Sequence, residues 1–187
     1  MINGIDISTL IAIITGIIAI IFNITSVLIN KKILIIFTLL SNIFFTIHFL
    51  MLYDYAAVFS CITISLSALI IYVYHSIDRE TPEIILILFI FLFLLAGHLD
   101  KHIDLDGHGI LPILASIFIL FGLENKNIRM SRLYFLICAI FWIIYDLYSP
   151  LLYWNNIINQ VLLIIFIIIA FLIHDVLNKK IEKKLMN

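Results

Sequence analysis

The polar residues with chemistry to offer stand inside long apolar runs. Asn155, Asn156, Asn159 and Gln160 pair as i,i+4 twice over, Asn155 with Asn159 and Asn156 with Gln160. On a helix that spacing makes one broad patch of amides. Amides bring donors and acceptors together, which suits a hydroxylated or amide-bearing solute; they also join helix to helix. A second run places Trp142, Tyr145, Asp146 and Ser149 at i, i+3, i+4 and i+7, so aromatic planes share one helical face with hydrogen-bonding groups. Asp146 is the carboxylate well inside a run, a candidate for proton coupling or cation binding. It also lies about a turn from the end of that run, where interfacial water would solvate it. In a third run Ser41, Phe45 and His48 fall on one face. His48 brings an imidazole that could gate a cavity or serve as a hydrogen-bonded structural group. Asn23 could complete a pocket or pair across helices.

Reactive arrangements are missing. No nucleophile–base pair, HExxH or phosphate-cradling glycine loop occurs, and the chain has six glycines. An enzyme is not expected. The stretch from His98 to His108 carries three His and three Asp, a set that can bind zinc-like ions. Its echo of a calcium loop from His102 fails at the first position and at the twelfth, which is Ile113 rather than a bidentate Glu. A solvated, helix-capping loop is the plainer reading, so neither metal nor cofactor is expected. Cys61 and Cys138 stand alone in apolar runs and read as small buried residues.

The elements that position these residues follow from composition. Apolar residues make up 64% of the 187 and charged residues 12%, far from the roughly 45–50% and 25% of soluble domains. A soluble fold of this size could not hide so much apolar surface. Soluble enzymes, disulfide scaffolds, nucleic-acid binders and disordered chains are thereby excluded, and a net charge of −1 recruits no polyanion. The chain reads as an all-α integral membrane protein. About 20 apolar residues cross a bilayer as a helix, and seven transmembrane helices are expected over 9–29, 33–53, 55–75, 82–98, 108–123, 130–149 and 150–174. Thr81-Pro82-Glu83 and Ser149-Pro150 supply helix starts. The first run lacks a basic leader and a small-residue cleavage site, so it reads as a retained span.

Charge orients the spans. Lys31, Lys32, Arg79, Lys126, Arg129, Arg132 and the four lysines from Lys179 to Lys184 fall in alternate loops, which together hold 10 of the 11 basic residues; Lys101 is the exception. The positive-inside rule then places the N-terminus outside and the C-terminus in the cytoplasm. Arg129 and Arg132 read as fixing topology, and the basic tail as resting on the anionic inner leaflet.

The chain also repeats. Under a shift of 97 residues Asn30 meets Asn127, Phe44 meets Phe141, Phe45 meets Trp142 and His48 meets Tyr145. A rival register pairs Tyr53-Asp54 with Tyr145-Asp146. Spans one to three then correspond to spans five to seven, with span four as the linker that keeps the halves parallel. The expected units are a first triple-helix bundle over 1–81, a linker helix over 82–98, a second bundle over 99–178 and a basic tail over 179–187.

Leu111-Pro112-Ile113, Ile47-His48-Phe49-Leu50 and Phe141-Trp142-Ile143-Ile144-Tyr145 resemble the YgjV-type bacterial inner membrane proteins, over residues 10 to 174. That family is grouped with the SWEET and PQ-loop transporters, so the resemblance implies a 3+1+3 SWEET-like arrangement in the bacterial inner membrane. The Pro-Gln pair of SWEET proteins is absent: Ile113 follows Pro112, and Thr15-Gly16 stands at the matching site. Pro112 and Gly16 are places where helices could bend.

Together these features suggest a small-solute transporter, its cavity between the bundles. Asn155, Asn159 and Gln160 would make polar contacts and Trp142 and Tyr145 the walls, with Asn23 and His48 as first-half counterparts and Asp146 for proton coupling. The expected partners are the lipid bilayer and a polar solute such as a sugar or vitamin-like compound. Homo-oligomerisation is left open. The alternative is a non-transporting receptor, scaffold or assembly partner, whose polar faces would close on one another.

Overall fold

The computed structural model describes residues 6–53, 55–99, 110–148 and 154–173. They form seven helices: α1 (Ile7–Leu28), α2 (Lys31–Met51), α3 (Tyr55–Ser76), α4 (Glu83–Leu99), α5 (Ile110–Glu124), α6 (Ile128–Tyr148) and α7 (Trp154–Ala170). By length and composition α1, α2, α3, α6 and α7 can each cross a membrane, whereas α4 and α5 are shorter apolar helices. At 1.5 Å per residue the 15 residues of α5 reach roughly 22 Å. The outer faces carry large apolar side chains, among them Ile17, Ile21, Leu66, Ile84, Phe91 and Ile168. In water such a surface would aggregate; in a bilayer it is the solvated one. The expected starts before Pro150, the loop from Asp100 to His108 and the tail over 179–187 lie outside the described residues.

Local chemistry sets the helix ends. Asn30 caps α2 by accepting from the Ile33 amide at 3.1 Å, and Asn127 caps α6 by accepting from the Arg129 amide at 2.9 Å. The two asparagines matched by the repeat thus do the same work. Thr81 departs from expectation. Its hydroxyl donates at 2.6 Å to the carboxylate of Glu124, and the Pro82 carbonyl opens α4 by accepting from Ile85 at 2.9 Å. Pro112 falls in the first turn of α5, where a missing N–H costs no helical bond, so it has no reason to bend the helix.

Neighbouring helices pack in the order α1–α2–α3–α5–α6–α7, and α7 returns to α1; α4 lies against α3 and α5. Exchanging the first three helices for the last three maps the six-helix ring onto itself, α1·α7 becoming α5·α3, while the α4 contacts have no counterpart. Burial follows the same symmetry. In α2 the buried positions are Leu34, Ile35, Thr38, Ser41 and Asn42; 97 residues on, α6 buries Ser131, Arg132, Phe135, Cys138 and Ala139. Gly16, Ala19 and Ser26 of α1 likewise match buried Ile113, Ser116 and Leu123 of α5. The third helices match one residue earlier: Thr63, Ile64, Ser67 and Ile71 correspond to Asn159, Gln160, Leu163 and Ile167. The rival pairing through Tyr145-Asp146 finds no such agreement, since it would set buried Leu34 and Ile35 against exposed Lys126 and Asn127.

Ser67 and Thr63 bond carbonyls of their own helix, at 2.8 and 2.9 Å, leaving slim surfaces for close packing. Cys61 and Cys138 are buried and free. Gly16 has its own task. A Cβ there would stand 2.9 Å from Nδ1 and 3.2 Å from Cε1 of His48, and that Nδ1–H donates to the Ala12 carbonyl at 2.7 Å. Gly16→Ala should therefore cost about 1–3 kcal/mol, read as a lower apparent melting temperature in detergent. The double variant Gly16→Ala/His48→Ala should cost less than the sum of the single ones; strict additivity would refute this contact.

Candidate functional site

Asp146, near the C-terminal end of α6, faces the first turns of α7. Its side chain is 1% exposed, which overturns the interfacially solvated reading. Among the described residues one hydrogen bond reaches the carboxylate, from Asn156 Nδ2 to Oδ2 at 2.7 Å. Asn156 Oδ1 in turn accepts a long bond from Gln160 Nε2, at 3.4 Å. Asn156, Asn159, Gln160, Leu163 and Ile167 follow one another at i, i+3, i+4, i+7 and i+11, the inward stripe of α7. Asn159 and Gln160 are 2% and 7% exposed, and their carbonyl oxygens, Oδ1 and Oε1, accept no hydrogen bond. Each such buried oxygen costs about 1–3 kcal/mol if nothing donates to it, so a pair beside a buried acid marks a place fitted for donors from elsewhere.

The remaining predicted residues divide. Trp142 and Tyr145 are half-buried on the Asp146 side of α6, their rings edge to face at 5.8 Å and 82°. His48 is spent on α1, through Ala12 and Gly16. Asn23 lies near the far end of α1, beside the α1–α2 turn, where its carbonyl accepts from Ser26 at 2.7 Å. That is the opposite end from the amides of α7, so the structure does not bring Asn23 to them. The side chains of Asn155 and Ser149 and the His/Asp stretch from His98 to His108 lie outside the described residues. Among the described residues no three His, Cys, Asp or Glu gather as a metal site.

A second polar cluster occupies the end where the α1–α2 and α5–α6 turns meet. Lys31 Nζ donates to the Gly122 carbonyl at 2.6 Å and to Ser131 Oγ at 2.9 Å. In return Arg132 donates from Nε to the Val27 carbonyl at 2.8 Å and from Nη2 to Ile29 at 3.3 Å. Each half thus sends a cation to the carboxyl end of the other half's first helix, where unpaired carbonyls and the helix dipole favour it. The loop after α3 joins them: Glu124 accepts from the Thr81 amide at 3.2 Å and faces His75 at 4.0 Å, while Lys126 pairs with Glu80 at 3.3 Å. Three of the loops grouped by their basic residues therefore do share one end, hereafter the basic end. Sequence reading took Arg132 as a topology signal, yet it is 2% exposed. The one sign of its burial is that the repeat sets it opposite Ile35.

Arg132 and Asp146 are the charged residues buried among those described. Both belong to α6, 14 positions apart or roughly 21 Å. Each opposes the dipole of α6 itself and is eased by another helix: Arg132 by the carboxyl end of α1, Asp146 by the amino end of α7. No curated protein and no solved structure matches the chain. A family model matches residues 10–175, from the first turn of α1 to beyond α7, and by it the chain belongs to the Imp-YgjV family of bacterial inner membrane proteins.

Proposed function

We propose that this bacterial inner membrane protein is a small-solute transporter of SWEET-like 3+1+3 build, α1–α3 and α5–α7 forming the bundles and α4 the linker, with the N-terminus outside. The symmetric order of helix neighbours and the matched burial of α2 and α6 support that architecture. Transport itself rests on one observation above all, the pair of buried, donorless oxygens on Asn159 and Gln160 beside buried Asp146. A solute entering between α6 and α7 would meet these groups with Trp142 and Tyr145 close by. The rival scaffold reading requires polar faces that satisfy one another, and these oxygens argue against it.

The test is a thermal-shift screen of the purified protein in detergent against sugars, vitamins, amino acids, nucleosides and amines. A ligand bound by the folded state at 100 times its Kd adds about 2.7 kcal/mol. At least one chemical class should raise the apparent melting temperature, and Asn159→Leu combined with Trp142→Ala should erase the rise. A folded protein stabilised by no class would instead favour the scaffold reading.

A further inference from the structure

We infer that the α6–α7 site takes a small organic cation, a protonated amine or guanidinium, held by the carboxylate of Asp146 and the amide oxygens of Asn159 and Gln160. This rests on the transporter reading above and adds the substrate class. The direction of the site's hydrogen bonds carries it. Gln160 Nε2 gives its hydrogen to Asn156, and Asn156 Nδ2 gives its own to Asp146. The chain of donors thus runs toward the acid and ends there, leaving Oε1 of Gln160, and Oδ1 of neighbouring Asn159, without a donor. The fully buried atoms of these two side chains that lack a partner are acceptors, and a ligand that completes them must bring N–H or O–H groups.

Charge decides between those two. A neutral polyol could donate to the amides and to the carboxylate, but it would leave that buried charge, bonded among the described residues to an uncharged amide, without a counter-charge. The amino end of α7 contributes only about half a positive charge. The ion pair Lys126–Glu80 and the His75–Glu124 contact both lie at the basic end, so among the described residues no cation pairs with Asp146. Burying such a group without a counter-charge is costly, and an ammonium or guanidinium supplies charge and donors together. Trp142, one turn before Asp146 on α6 and edge-on to Tyr145, adds aromatic surface of the kind that attracts organic cations.

The experiment compares matched probes on the full-length protein in detergent: 2-phenylethylamine against 2-phenylethanol, butylguanidine against butylurea, with sorbitol and sodium chloride as further arms. The cations at millimolar concentration should raise the apparent melting temperature by a few degrees and their neutral partners should not. Asp146→Asn should abolish the rise, and Asn159→Leu should shift it to several-fold higher concentration. Should Asp146→Asn fail to fold, the cation-against-neutral comparison on the unaltered protein still decides. Stabilisation by the neutral partners or sorbitol that survives Asp146→Asn would overturn the cation class while leaving a solute site in place. Stabilisation by sodium alone would make it a metal-ion site and overturn the class equally. No response from the folded protein to any probe would overturn the cation class, and if the wider solute screen were silent as well, the transporter reading would fall with it.

Discussion

Arg132→Ala should lower the stability of the protein by about 3 kcal/mol, the scale on which removing one side of a buried charged contact acts. Three losses combine. Val27 and Ile29, at the carboxyl end of α1, lose the donors that reach them at 2.8 and 3.3 Å. A large buried side chain leaves a cavity. The favourable placement of a cation at that helix end also disappears. Arg132→Lys should recover only part of the loss, because an ammonium lacks the planar fork that lets one side chain serve two carbonyls. The readout is the apparent melting temperature in detergent, expected to fall by roughly 5–10 °C for the alanine variant. A change within a degree would show that α1 ends as well without Arg132 as with it.

Gly122→Ala should be nearly as damaging, although it adds a single methyl group. The new Cβ would meet Cδ2 and Cε2 of Phe135 at 2.9 Å and Cβ of Tyr134 at 3.2 Å. Phe135 is itself buried in the core, so its ring has no free space to enter, and the relief must come from parting α5 and α6. That movement would also draw the Gly122 carbonyl from Lys31 Nζ, now 2.6 Å away. Overpacking of this kind costs about 1–3 kcal/mol, and the lost charged hydrogen bond adds to it. Phe135→Leu should restore part of the stability in the double variant while lowering it alone. If Gly122→Ala melted like the unaltered protein, the close approach of α5 to α6 at this point would be disproved.

How much of this was legible in sequence varies by kind of signal. Helix limits were, because apolar runs and their polar interruptions report directly on them: the expected 55–75 and 82–98 became α3 at Tyr55–Ser76 and α4 at Glu83–Leu99. The repeat was visible but not its register, since Ile and Leu match one another at many offsets. Burial separates the offsets because Ser41 and Cys138, unlike in chemistry, occupy equivalent buried places. The amide patch could be placed on α7, but which oxygens lack donors depends on side-chain rotation that no spacing encodes. The burial of Arg132 was not legible for a related reason. Hydropathy treats a charge near a span end as interfacial, and the carbonyls that hold it lie 105 and 103 residues away. Asn23 was grouped with the amides by residue type, whereas depth along the helix is what separates it from them.

Among the described residues, polar contacts tie the two halves at the basic end. The named polar contacts that cross between α1–α3 with its following loop and α5–α7, through Lys31, His75, Thr81 and Arg132, gather at the basic end. At the other end, among the described residues, His48 bonds Ala12 and Asn156 bonds Asp146. Hydrogen bonds fix distance and angle, whereas apolar contact fixes neither. A rotation of the halves about the basic end would displace that end least and the far end most. Asp146, Asn159 and Gln160 lie toward that far end, and the contacts of Lys31 and Arg132 with the opposite half lie at the near one.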